Sequence, residues 1–361
     1  MQNFITTVIG ARPQFIKAAA VSRALKSAGV YEKIIHTGQH FDQKMSEIFF
    51  REMEIPRPHY QLDIHSLPHG AMTGRMLEEI EKILMQDRPN AVLVYGDTNS
   101  TLAGALAAIK LHIPVIHVEA GLRSFDMKMP EEVNRILTDR LSSLLFCPTA
   151  TSVENLYREG FQHFDTEIIH CGDVMYDAVL YYLEKAKKSS TIIEKLHLKE
   201  KEFALATIHR QENTDDIDRL EQIVKGLNSV NEELLVVVPL HPRTTAHLQK
   251  INTKPEFKII EPVGYFDMIV LLEHCKLVLT DSGGLQKEAY FFSKPCVTLR
   301  EQTEWTELVA SGCNHLAGYK AEEIFKKYIQ SMSKEGDFSG KLYGDGHSTE
   351  IIAEKIKRKF M

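Results

Sequence analysis

Cysteine is scarce in this 361-residue chain: Cys147, Cys171, Cys275, Cys296 and Cys313 are odd in number, scattered and never spaced Cys-x-x-Cys. That pattern supports neither a disulfide framework nor a zinc site. Ligand spacings such as His-Glu-x-x-His are missing, so no metal is expected. Gly-x-Ser-x-Gly is missing too, which leaves a Ser-His-Asp hydrolase unsupported. No uncharged apolar run approaches a membrane span, and Met1-Gln2-Asn3-Phe4-Ile5 lacks the basic and apolar regions of a signal peptide. A reduced cytoplasm is the expected location. There is no basic excess either. With 43 Lys and Arg against 49 Asp and Glu, the net charge of -6 argues against nucleic acid or anionic membrane as the main partner.

What is present is a long alternation of strand and helix patterns. At 361 residues two domains are the better expectation. The first alternation predicts strands at 4–9, 33–36, 91–95, 115–118, 144–148 and 167–170. Helices are expected at 15–28, 42–53, 68–86, 98–111 and 130–143. A polar, charged stretch over 185–201 follows. A second alternation then predicts strands at 203–208, 234–239, 258–260, 277–280 and 296–299, with helices at 216–231, 244–251, 265–274, 283–292, 304–310 and 321–332, and a last one at 349–360. Such a pattern reads as α/β, two Rossmann-like doubly wound domains with a cleft between them. The expected boundaries are 1–172 and 173–345, followed by a terminal segment, 346–361.

In open parallel sheets ligands bind beyond the carboxyl ends of strands, and the polar clusters of this chain lie there. Gly10-Ala11-Arg12-Pro13 follows the first strand, with Lys17 one turn into the helix, and is not a Gly-x-Gly-x-x-Gly fingerprint. In Tyr95-Gly96-Asp97-Thr98, Asp97 reads equally as a helix cap. Glu119, in His117-Val118-Glu119-Ala120-Gly121-Leu122-Arg123, ends an apolar strand where a carboxylate is costly unless paired or used. In Pro130-Glu131-Glu132-Val133-Asn134-Arg135, the acidic residues alone are ordinary partners of a helix dipole. The second half contributes His209-Arg210-Gln211-Glu212-Asn213, His241-Pro242-Arg243 and Arg300-Glu301-Gln302-Thr303-Glu304-Trp305-Thr306-Glu307. Any one of these could be an ordinary polar loop.

Leu279-Thr280-Asp281-Ser282-Gly283-Gly284-Leu285-Gln286-Lys287-Glu288 reads as a strand turning directly into a helix. Ser282 is a good N-cap, and the two glycines leave backbone N–H groups open to a phosphate. Glu288, one turn beyond Gly284, could accept hydrogen bonds from ribose hydroxyls. Alone, Ser-Gly-Gly is more often a tight turn.

Together and in order, these stretches resemble the non-hydrolysing UDP-N-acetylglucosamine 2-epimerase family over nearly the whole chain. The resemblance implies a glycosyltransferase-B-type fold whose C-terminal helix crosses back to the first domain, and a homodimer. It implies inversion at C2 of a UDP-2-acetamido sugar by elimination of UDP to a bound glycal and re-addition, with no metal and no cofactor, in bacterial surface polysaccharide synthesis. By the family pattern Asp97, Glu119 and Glu131 match the acid/base carboxylates, and His209 matches the histidine at the diphosphate. Arg12, Ser282, Gly283, Gly284 and Glu288 match the UDP contacts, and Lys17 and Arg135 match further polar residues of the site.

The chain departs from the common pattern at Gln14, Lys287 and Trp305. Gln14 and Trp305 look more like the branch acting on UDP-2,3-diacetamido-2,3-dideoxy-glucuronate or related 6-deoxy sugars. Gln39-His40 fits the motif through which some members are activated by a second UDP-N-acetylglucosamine, but Leu67-Pro68-His69-Gly70-Ala71 does not match the accompanying loop, so weak or absent activation is expected. Three alternatives stand beside this reading: a glycosyltransferase of the same fold, a hydrolysing 2-epimerase, and a nucleotide-sugar-binding protein without catalysis.

Overall fold

The computed structural model describes residues 3–39, 56–240, 242–333 and 336–361. His40, the helix expected over 42–53 and His241 lie outside the described residues, as does the side chain of Arg12. Contacts divide the chain into two units, Met1–Leu180 with Lys341–Met361, and Tyr181–Gly340. The first division falls inside the helix Val174–Ser189.

The first unit holds a seven-stranded parallel sheet. Its strands are β1 (Ile5–Ile9), β2 (Glu32–His36), β3 (Tyr60–Gln61), β4 (Ala91–Tyr95), β5 (Val115–Val118), β6 (Leu144–Cys147) and β7 (Glu167–His170), in the order β3-β2-β1-β4-β5-β6-β7. β1 and β4 are buried along their whole length, which is why β4 reads as an unbroken apolar run rather than as an alternation, while β1 buries Thr6 and Thr7 among its apolar residues. Helix His69–Asp87 buries the stripe Met76, Ile80 and Leu84, one residue per turn, against helix Asn99–Lys110. Emptying such a position, as in Ile80→Ala, costs about 2–5 kcal/mol.

The C-terminal helix, Ser348–Phe360, belongs to this unit and packs on helix Arg12–Ser27 through its buried Ile352, Ala353 and Ile356. Its first turn is tied down because Thr349 donates from N and Oγ1 to Asp177 Oδ2 at 2.7 and 2.8 Å. Its last turns are held by Lys355 and Lys359 on Glu167.

The second unit repeats the plan with six parallel strands, β8 (Phe203–Thr207), β9 (Leu235–Pro239), β10 (Lys258–Ile260), β11 (Leu277–Thr280), β12 (Cys296–Thr298) and β13 (Asn314–Leu316), ordered β10-β9-β8-β11-β12-β13. Both sheets reverse direction of growth between their first and fourth strands, β1 and β4 in one and β8 and β11 in the other. Loops leaving such a switch point diverge and leave room for a ligand.

Several described elements go beyond the sequence expectation, among them the short helices Ile192–Lys195 and Gln211–Thr214. β3 and β13 are edge strands of two and three residues, too short for any periodicity to register. Helix Ala150–Arg158 follows β6 and starts at a reciprocal cap in which Thr149 and Ser152 exchange backbone and hydroxyl hydrogen bonds.

Candidate active site

In the first unit the loops after β1, β4 and β5 converge, and Gln14 joins two of them. Its Oε1 accepts from the N–H groups of Gly10 and Ala11 at 2.8 and 2.9 Å, while its Nε2 donates to Tyr95 O at 2.9 Å and to the hydroxyls of Thr98 and Thr101. The amide is fully buried and uses both of its faces, so the turn after β1 and the turn after β4 move as one body.

Two charge pairs sit on this support. Lys17, buried in the helix after β1, is ion-paired with Glu119, whose backbone holds the left-handed conformation at φ 72°. A non-glycine residue in that region costs of order 1–3 kcal/mol, and such strain collects at functional sites. Gly96, at φ 62°, makes the pair possible: a Cβ there would lie 3.0 Å from Glu119 Oε2 and 3.5 Å from Lys17 Nζ.

The second pair is Asp97 with Arg135, whose other guanidinium nitrogen donates to Glu132 Oε2 at 2.8 Å. Asn134 Nδ2 adds a hydrogen bond to the Asp97 carbonyl at 3.0 Å. Lys17, Glu119, Asp97 and Arg135 are thus brought to the ends of neighbouring strands. Glu131 is exposed on the first turn of helix Pro130–Leu141, the helix that carries Asn134 and Arg135.

Its neighbour Glu132, which sequence reasoning set aside as a dipole partner, is fully buried and accepts from Ser124 N, Ser124 Oγ and Phe125 N besides Arg135. Nothing local distinguishes the two glutamates. Only the loop folding back onto one of them does so.

Below these pairs runs a buried chain. His117 Nδ1 lies 2.7 Å from Asp139 Oδ1 and its Nε2 lies 2.7 Å from the Gly96 carbonyl. Asp139 Oδ2 also accepts from Arg123 at 2.7 Å and from Gly121 N at 3.1 Å. Burial alone would raise the Asp139 carboxyl, but the hydrogen bond from His117 and the charges of His117 and Arg123 outweigh it and hold the group below its ordinary range. Asp139 lies outside every motif singled out from the sequence. The signal that could have found it is a carboxylate on the otherwise helix-forming, inward face of the helix after β5.

In the second unit the corresponding support is Asp281, at the end of β11 and fully buried. Its carboxylate accepts from His209 N at 3.0 Å, Arg210 N at 3.0 Å and Asn213 Nδ2 at 3.2 Å, tying the turn after β8 to the start of the next helix. The His209 side chain is exposed above that turn. Ser282 caps helix Gly283–Phe291 by accepting from Leu285 N.

A Cβ at Gly283 would meet Glu304 Oε1 at 2.3 Å, whereas one at Gly284 would meet nothing within 4 Å. The backbone at Gly284 therefore faces open space at the positive end of the helix, where an anion is favoured. Glu288, one turn on, is buried. Arg300 pairs with Glu304 at 3.0 Å, and Lys287 Nζ lies 4.2 Å from the centre of the Trp305 ring, so the loop after β12 is anchored to this helix. Asp281 and Asn213 are further residues whose positions the motifs contained and whose roles they did not reveal. Among the described residues no group of His, Cys, Asp and Glu side chains is arranged to hold a metal ion.

The family model for UDP-N-acetylglucosamine 2-epimerases matches residues 23–357. The chain belongs to that family. It is an isomerase of the non-hydrolysing type, built on the glycosyltransferase-B-type fold. This epimerase is 53% identical over 356 residues to the UDP-2,3-diacetamido-2,3-dideoxy-D-glucuronate 2-epimerase of Pseudomonas aeruginosa, covering 98% of this chain and 99% of that one. It is 33% identical over 373 residues to the UDP-N-acetylglucosamine 2-epimerase of Escherichia coli, covering 98% of each. The structure of the Methanocaldococcus jannaschii UDP-GlcNAc 2-epimerase in complex with UDP-GlcNAc and UDP is similar to it with a TM-score of 0.90 at 42% identity, over 99% of this epimerase and 100% of that chain.

Proposed function

We propose that this epimerase inverts C2 of a UDP-2-acetamido sugar, with UDP-2,3-diacetamido-2,3-dideoxy-D-glucuronate as the first candidate. The observation that carries the reading is the pairing of Glu119 with Lys17 and of Asp97 with Arg135 at neighbouring strand ends. Carboxylates held this way can take and return protons while their cations balance the charge. The choice of sugar rests on the 53% identical relative.

The C2 proton of such a sugar is not next to a carbonyl, so direct deprotonation is slow. In the proposed sequence a base takes the C2 proton as the C1–O bond breaks, and UDP leaves with the bonding pair, producing a glycal. A proton then adds to the opposite face of C2 while the β-phosphate oxygen re-forms the bond to C1. Asp97, Glu119 and Glu131 are assigned to the proton transfers. His209 and the Ser282-Gly283-Gly284 helix end are assigned to the departing diphosphate, and Glu288 to the ribose. Arg12 is assigned to UDP as well, while Lys17 and Arg135 set the charge of the carboxylates. We further infer a cytoplasmic homodimer serving surface polysaccharide synthesis.

Turnover in deuterated water, run against a panel of UDP-2-acetamido sugars differing at C3 and C6, tests the reading. The expected outcome is one deuterium at C2 and the highest turnover on the 3-acetamido uronate. Absence of exchange with every sugar of the panel would sink it.

A further inference from the structure

We propose that His117 is a positioning residue for the epimerase reaction, held as a doubly protonated imidazolium between Asp139 and the Gly96 carbonyl so that the turn bearing Asp97 is fixed from below. A backbone carbonyl only accepts, and an ionised carboxylate only accepts. With Gly96 O 2.7 Å from Nε2 and Asp139 Oδ1 2.7 Å from Nδ1, both ring nitrogens must carry hydrogen. A neutral ring would turn a lone pair toward one of these oxygens in a site with no exposed surface.

The remaining assignment would place the proton on Asp139 instead. Its other oxygen accepts from both Arg123 and Gly121 N–H, which is the setting of an ionised carboxylate. Arg123 also donates to both oxygens of Glu159, so its charge is shared between two carboxylates.

The consequence reaches both charge pairs. His117 lies on β5, two residues before the strained Glu119, and its Nε2–H anchors the carbonyl immediately preceding Asp97. The ring thus registers β5 against the turn after β4, at the point where Gly96 gives Lys17 and Glu119 room to meet.

Nitrogen NMR on enzyme labelled at its histidine rings reads the protonation directly and does not depend on which sugar is the substrate. The kinetic arm alone rests on the epimerase reading. At neutral pH we expect a ring with both nitrogens protonated whose signals vanish in His117→Gln and change in Asp139→Asn. A lone-pair nitrogen assigned to His117 overturns the imidazolium.

In kinetics, both substitutions are expected to lower turnover about a hundredfold, the scale set by misplacing a reacting group by an ångström, while KM and UDP affinity hold. Full turnover in a variant that has lost only thermal stability would reduce His117 to a core residue and overturn the positioning role. If His117→Gln does not fold, Asp139→Asn carries both readouts, because it keeps the shape of the side chain.

Discussion

The two units solve the same topological problem with opposite chemistry. At the switch point of the first, the tie between the loop after β1 and the end of β4 is the neutral amide of Gln14. At the switch point of the second, the tie between the loop after β8 and the end of β11 is the carboxylate of Asp281, with all its bonds given to N–H donors. A neutral tie leaves the first site to the paired charges of Lys17 with Glu119 and Asp97 with Arg135. A carboxylate consumed by the N–H groups of His209 and Arg210 and by the Asn213 amide organises the second site without presenting its charge outward, and leaves the helix end at Gly284 open to an anion. The proposed division of acid/base work and anion binding between the two units follows this difference in which side chain holds each turn.

Four tests break or sharpen this contrast. The largest effect is expected from Glu119→Gln or Asp97→Asn, which should lower turnover by about a thousandfold while UDP affinity, measured by calorimetry, stays at the wild-type value. Loss of UDP binding in step with turnover would erase the division of labour.

The first unit is also expected to be the acid-sensitive one. Burial lowers the His36 ring to about 4 from an ordinary 6.5. Its folded value is depressed, so on acidification the unfolded chain takes up the proton first. The contribution is complete above the ordinary value and is lost as the pH falls toward the folded one, a fall of about 3 kcal/mol over the whole window. Urea unfolding of wild type and His36→Gln on either side of that window measures it, and equal acid sensitivity in the two would refute it.

Asp281→Asn should cost about 2 kcal/mol of stability and weaken UDP binding, because an amide cannot accept from all the donors now facing the carboxylate. Retained stability with full UDP affinity would show that the turn after β8 holds itself. Smallest is Ser282→Ala, expected to cost about 1 kcal/mol through loss of the cap. Its effect should appear in UDP affinity and unfolding midpoint.

Much of the molecule was legible in advance because its signals are local. The apolar runs of β1, β4, β5, β8 and β11 announce parallel strands buried on both faces, and Pro13, Pro130 and Ser282 announce helix starts. Short edges such as β3 and β13 carry too few residues to announce anything. Among the candidate site residues, Asp97 and Glu119 follow apolar strands, where a charge is conspicuous, while Lys17 and Arg135 entered through the family resemblance. Glu132, Asp139 and Asp281 were hidden because a carboxylate in a helix or at a turn looks the same whether it faces water or a ring of donors.

The sequence by itself determined the alternation of strands and helices, the presence of two sheets and the residue types at their carboxyl ends, since these follow from periodicity and from the chemistry of individual side chains. Only the tertiary structure decided which charges meet: that Glu119 finds Lys17 across 102 positions of chain, that Glu132 and not Glu131 is buried, and that His117 spans Asp139 and the Gly96 carbonyl. The physical reason is that partnership among polar groups depends on distance and shared burial in space, and neither is written in the spacing of residues along the chain.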